Sequence, residues 1–120
     1  MPKLFVYGTL RKGECRHGTL ADCKFLGYAK AKGFLLYNIS SFPGMVQGEG
    51  EVIGEVYEIP ESLLERLDLI EGVPELFRRE LIEVMLEDGT IISAYAYLYN
   101  KRVDNKLLIP SGNWKDANKI

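Results

Sequence analysis

Histidine and cysteine are scarce in this chain of 120 residues: one histidine, His17, and two cysteines, Cys15 and Cys23. Neither cysteine has a CxxC partner, and a single histidine does not complete a zinc set with them, so no metal site is expected. In a reducing compartment both thiols are expected to be free. An excess of one charge is also lacking. Fifteen Lys and Arg stand against seventeen Asp and Glu, a net charge of −2. A nucleic-acid partner would call for a basic face that replaces phosphate counterions, and none is segregated here. Apolar runs such as Leu107–Leu108–Ile109 fall far short of the ~20 residues a membrane-spanning helix needs. Met1–Pro2–Lys3 passes directly into Leu4–Phe5–Val6–Tyr7 without the regions of a secretory leader, which leads to the expectation of a cytoplasmic protein. On that footing the Asn38–Ile39–Ser40 sequon is a chance match. Phosphate-loop and dinucleotide-binding glycine patterns are missing too.

The remainder is an ordinary globular composition, 47% hydrophobic and 27% charged, consistent with one domain over residues 1–120 and one core. A monomer is the default. Lys3–Tyr7 reads as a short buried strand stopped by Gly8. Phe25–Ala29 and Phe34–Ile39 are further strand candidates, separated by a Lys/Gly stretch. Val52–Ile59 is another, and Gly54 inside it suggests a bulge or a tight barrel corner. Leu81–Leu86, Asp88–Gly89 and Thr90–Tyr99 form a hairpin signal, because Asp-Gly accepts the positive φ of a tight turn. On its second arm Tyr95, Tyr97 and Tyr99 share one face, opposite Ala94, Ala96 and Leu98. Beyond Asn100 the chain is polar and broken by Pro110 and Gly112, so an irregular tail is expected.

One helix is expected to begin at Pro60, whose fixed φ suits a first turn. Glu61 lies in that turn at the positive end of the dipole. Leu63, Leu64, Leu67 and Ile70 recur at helical spacing as the core-facing stripe, and Gly72 with Pro74 forms a stop. Strands on both sides of a single helix point to an α+β sheet, antiparallel or mixed, or a small barrel.

Glu71 does not fit a purely structural pattern. Leu64, Leu67 and Glu71 are related as i, i+3 and i+7, which puts a carboxylate on the apolar face. Carboxylates go inside when paired or functional. The alternative is a helix that frays after Ile70 and lets Glu71 swing out to water. A second candidate is the glycine-bounded loop Tyr7–Gly8–Thr9–Leu10–Arg11–Lys12–Gly13. Gly8 lets the backbone turn and aim consecutive N–H groups at a carboxylate or oxyanion. An ordinary strand-to-loop turn would have the same sequence.

Together, FVYGTLRKG and LDLIEGVPELFRRE resemble the paired signatures of the γ-glutamylcyclotransferase-like family, and the short length resembles its γ-glutamylamine cyclotransferase branch. GEVYEIP, Ser41–Phe42–Pro43–Gly44 and SGNW fall in the family's order, so the resemblance spans most of the chain. One departure is Phe77, where the family commonly has tyrosine ahead of the arginine that matches Arg79. The resemblance implies a small mixed β-barrel with flanking helices. It implies cyclisation of a γ-glutamyl group, in which the substrate's α-amine attacks its γ-carbonyl to give 5-oxoproline and release an amine or amino acid. By position Glu71 matches the catalytic acid/base, and Tyr7, Gly8, Thr9 and Leu10 match the substrate-binding loop. No cofactor or metal is implied, and the partner is a small γ-glutamyl substrate. Two other functions fit the same residues: a non-catalytic module binding a small carboxylate ligand, and a cyclotransferase acting on a carrier-linked γ-glutamyl group.

The remaining polar and aromatic residues carry open readings. His17 is expected to be a loop residue without a partner, and Arg11 and Lys12 either steer an anion or are solvated. The tyrosine ladder is sheet packing, with one hydroxyl available to a pocket. Asn113 and Trp114 either cover the site or anchor the tail. Arg79 either pairs with a carboxylate near the site or faces solvent.

Overall fold

The computed structural model describes residues 1–117. Five strands run as β1 (Lys3–Val6), β2 (Lys24–Asn38), β3 (Pro43–Glu58), β4 (Phe77–Leu86) and β5 (Ile91–Tyr99), with one α-helix, α1 (Glu61–Ile70), between β3 and β4. They close into a mixed barrel in the order β1-β3-β2-β4-β5. β1 is antiparallel to β3 and parallel to β5. Beside the barrel, the described residues hold α1 and three short 3-10 turns. None of their helices is long and apolar enough to cross a membrane.

The alternation of β1 divides the core. Phe5 and Tyr7 join Ala31, Leu36, Met45, Val52 and Trp114 in one buried cluster. Leu4 and Val6 project to the other side, into a cluster with Leu63, Leu64 and Leu67 of α1. Each leucine so buried contributes about 1.5–3 kcal/mol relative to an exposed one. The helix is therefore held on the strands rather than by its own propensity.

Several sequence expectations change. The two candidate strands before residue 40 are one long β2, whose register shifts between Lys32 and Phe34. Gly33 sits there at φ 89, so the Lys/Gly stretch is a bulge within the strand and not a break. β3 begins at Pro43, well before Val52, and pairs with β2 as a hairpin. Gly54 is no bulge: it pairs in register with Ala29. A Cβ there would meet the Val6 carbonyl and the Phe5 ring, so its role is close approach. Pro60 is the N-cap, in extended conformation, and its carbonyl accepts the Leu63 and Leu64 N–H groups. Ile70, placed on the core-facing stripe by spacing, is half exposed because α1 ends there.

Other expectations hold. Gly89 takes φ 88 in the β4–β5 turn, where the Asp88 side chain accepts from the Thr90 N–H at 2.9 Å. The tail is irregular but attached: Ile109 donates to the Leu36 carbonyl and Ile53 to that of Gly112. Both cysteines are free.

Candidate active site

A cavity of about 350 Å³ opens where β1 ends, with Tyr7, Gly8, Thr9, Leu10 and Glu71 all on its wall. The two sequence candidates, more than sixty positions apart, thus meet at one place. Gly8 lies against the Pro43 ring, which a Cβ would enter. The loop beyond is folded on itself: Arg11 donates to the Gly8 carbonyl, Arg16 to that of Thr9 at 2.9 Å, and the His17 ring to that of Leu10 at 2.9 Å. His17 is therefore not the partnerless loop residue expected. It also packs against the Tyr57 ring.

Arg11 is not solvated either; only 3% of it is exposed. Its Nε donates to Glu55 Oε2 at 2.8 Å and its Nη1 to Asn113 Oδ1 at 2.8 Å. The Lys12 N–H and the Tyr57 hydroxyl donate to Glu55 Oε1 at 3.0 and 2.9 Å. Glu55 is wholly buried, and a buried carboxylate without such partners would be costly. Burial alone would raise its pKa, but these donors and the Arg11 charge hold it below the usual carboxylate range. Tyr57 is pushed up by burial and by Glu55. The Lys12 ammonium lies over the Phe25 ring at 3.5 Å, so this basic pair secures the loop rather than standing solvated or free to steer an anionic substrate.

Glu71 is the C-cap of α1, still in helical conformation at φ −82 and ψ −1, and its N–H donates to the Leu67 carbonyl. Gly72 follows at φ 68; its N–H donates to Leu69, and that of Val73 to Asp68 at 3.0 Å. This is the Schellman closure, in which a left-handed glycine satisfies the last carbonyls. The closure resolves the question left by spacing: the helix does end at Ile70, but the cap holds Glu71 inward, its side chain 14% exposed. Arg16 Nη1 stands 3.6 Å from its Oε1. Burial raises the Glu71 pKa, and Arg16 offsets part of the rise.

Behind the cavity the Tyr7 hydroxyl donates to the Tyr97 carbonyl at 2.5 Å and accepts from the Met45 N–H at 3.3 Å; burial pushes its pKa up. Of the tyrosine ladder only Tyr97 reaches the wall. Its hydroxyl donates to Asp68 at 2.7 Å. Asp68 also faces Arg79 at 3.4 Å, and Arg79 in turn lies over the Tyr95 ring. Asp68 is thus committed elsewhere and does not act as a pair with Glu71. Phe42, Pro43, Leu76 and Phe77 complete the apolar side. Phe77 stacks edge-on with Tyr99 and tilts against Phe42. Trp114 is core packing, and Asn113 is a ligand of Arg11 rather than a cover over the site.

The family described as gamma-glutamyl cyclotransferase, AIG2-like, matches residues 4–116. The chain belongs to that family. It is 34% identical to the Escherichia coli gamma-glutamylcyclotransferase family protein YtfP over 117 residues, covering 98% of this chain and 99% of that one. A Vibrio cholerae protein named as a candidate gamma-glutamylcyclotransferase is 41% identical over 112 residues, 92% and 93% of the two chains. Among solved structures, a mouse AIG2-like protein superposes with TM-score 0.81 at 26% identity, covering 94% of this chain and 87% of that one. In this γ-glutamyl cyclotransferase family member, Glu55 and Arg16 are the residues that sequence reasoning passed over, and Arg11 is one whose role it misread. The signal for Glu55, one of two acids in the otherwise apolar strand Val52–Ile59, was its alternation with Ile53, Tyr57 and Ile59 on one face. Arg16 had no signal, since only folding brings it beside Glu71.

Proposed function

We propose that this protein cyclises a γ-glutamyl group to 5-oxoproline with release of an amine, with Glu71 as general acid/base and the Tyr7–Leu10 loop holding the substrate. The observation that supports this reading is a partly buried carboxyl, its pKa raised, on the same cavity wall as that loop. The attack is intramolecular: the α-amine forms a bond to the γ-carbonyl carbon, and the C–N bond to the departing amine breaks. The enzyme's task is to fold the substrate into a near-attack shape.

Protonation is the chemical difficulty. A free Glu of pKa about 4.3 faces an α-amine of about 8, a mismatch of roughly 5 kcal/mol. Burial of Glu71 narrows it, since desolvation disfavours the carboxylate. Glu71 then takes the proton as the amine attacks and returns it to the leaving nitrogen. N–H groups of the Gly8–Leu10 loop stabilise the oxyanion that develops on the γ-carbonyl. The apolar side formed by Phe42, Leu76 and Phe77 excludes water from the acyl carbon.

A panel of γ-glutamyl amines and γ-glutamyl dipeptides, assayed for 5-oxoproline by chromatography, tests the reading. Product from at least one member is expected. Ligand-dependent stabilisation in a thermal melt with no product from any member would instead favour a binding module.

A further inference from the structure

Arg16 is the one cation among the described residues that line the cavity. The neighbouring cations are committed: Arg11 to Glu55 and Asn113, Lys12 to the Phe25 ring, and Arg79 to Asp68. Arg16 is differently placed. Its main chain is fixed to the binding loop through the Thr9 carbonyl, but its side chain is 33% exposed and 3.6 Å from Glu71 Oε1. That distance is a loose ion pair with open guanidinium donors, not the bidentate fork an arginine makes when fully satisfied.

An α-amino acid head carries an ammonium and a carboxylate on one carbon. A carboxyl and a guanidinium side by side on a cavity wall match that head with the charges reversed. We propose that Arg16 is the specificity-determining residue that receives the α-carboxylate of the γ-glutamyl substrate, exchanging its contact with Glu71 for one with the substrate. The proposal rests on the function given above. It leaves the loop N–H groups for the oxyanion and gives Glu71 to the α-nitrogen. It also makes substrate entry free the base, because the cation that held the Glu71 proton affinity down moves to the substrate. Other groups facing Glu71 are the Tyr7 and Tyr97 hydroxyls. Neither is a cation.

The test uses paired substrates: an N-alkyl γ-glutamyl amide and the corresponding N-alkyl 4-aminobutanamide. The second lacks only the α-carboxylate and would cyclise to pyrrolidin-2-one with release of the same amine. Wild type is expected to favour the carboxylate-bearing partner by about ten- to a hundredfold in kcat/KM, the scale of a charged hydrogen-bonded contact. Arg16→Met should lose most of that preference through KM, and Arg16→Lys should retain part. In Arg16→Met the acid limb of kcat/KM, which reports free enzyme, should move to higher pH, while that of kcat should stay in place. A merely structural arginine would change both substrates alike. Calorimetric binding of the two cyclised products, 5-oxoproline against pyrrolidin-2-one, gives the same comparison without turnover. Full retention of the preference by Arg16→Met, in either readout, overturns the assignment of Arg16. Failure of wild type to cyclise either amide overturns the reaction instead, and the calorimetric arm still decides for or against Arg16.

Discussion

Two glutamates, Glu55 and Glu71, show how environment assigns opposite properties to one side chain. Glu55 is saturated with donors and held below the usual carboxylate range, whereas Glu71 is desolvated and has one loose cation beside it. For Glu71 the folded state binds its proton more tightly than the unfolded chain does. Its contribution to stability is therefore present below about pH 4.3 and is lost as pH rises toward the higher folded value. Glu71→Gln removes that penalty. The variant should melt at or above the wild-type temperature near neutral pH, with the difference vanishing at about pH 4, in thermal melts across the range. A variant clearly less stable at neutral pH would mean that the Arg16 contact outweighs desolvation. Glu71 was legible in the sequence because helical spacing put an acid on an apolar face. Arg11 was not, because a basic residue in a glycine-bounded loop reads as solvated until its buried counter-charge, 44 positions away, is known.

At the scale of elements, the site depends on how α1 ends. The Gly72 closure turns the chain so that Glu71 stays on the cavity wall while the chain continues to β4. Replacing Gly72 by Ala forces a side chain into left-handed backbone, at a cost of about 1–2 kcal/mol, and its Cβ would stand 3.2 Å from that of Leu76. The expected outcome is a modest fall in the denaturation midpoint with a disproportionate fall in kcat, as the carboxyl moves from its place. Equal losses in stability and activity, or none in kcat, would contradict the role given to the cap. Helix, stop and Asp88–Gly89 hairpin were readable because each is written in local residues. The long β2–β3 hairpin was not. Gly33 looks like a separator, and only the pairing across Lys32 and Phe34 shows the strand running through it as a bulge. Likewise Gly54 marks a close approach to Phe5 and Val6, a contact between distant segments that no local rule reveals.

Over the whole molecule, the Arg11–Glu55 pair joins the binding loop, β3 and, through Asn113, the tail. Glu55→Gln would leave Arg11 buried without its counter-charge and should cost about 3–5 kcal/mol, read as a lower midpoint in urea. Because the folded-state pKa of Glu55 is depressed, its contribution is present above the unfolded value of about 4.3 and is lost as pH falls through the folded one. The variant should therefore lose part of the wild type's stability dependence on acid. An unchanged acid transition would show that the pair contributes nothing net. The strands around one helix left an α+β sheet or a small barrel open, and the barrel was what the family resemblance implied; its closure, with β1 parallel to β5, depends on long-range pairing. The central claim is that Glu71 moves the proton in a cyclisation. The most direct measurement is 5-oxoproline release by wild type and Glu71→Gln side by side on the best γ-glutamyl amide, with circular dichroism confirming that both are folded. The account predicts product from the wild type and a loss of at least about a hundredfold in kcat for the folded variant. A folded Glu71→Gln protein turning over at the wild-type rate would contradict it.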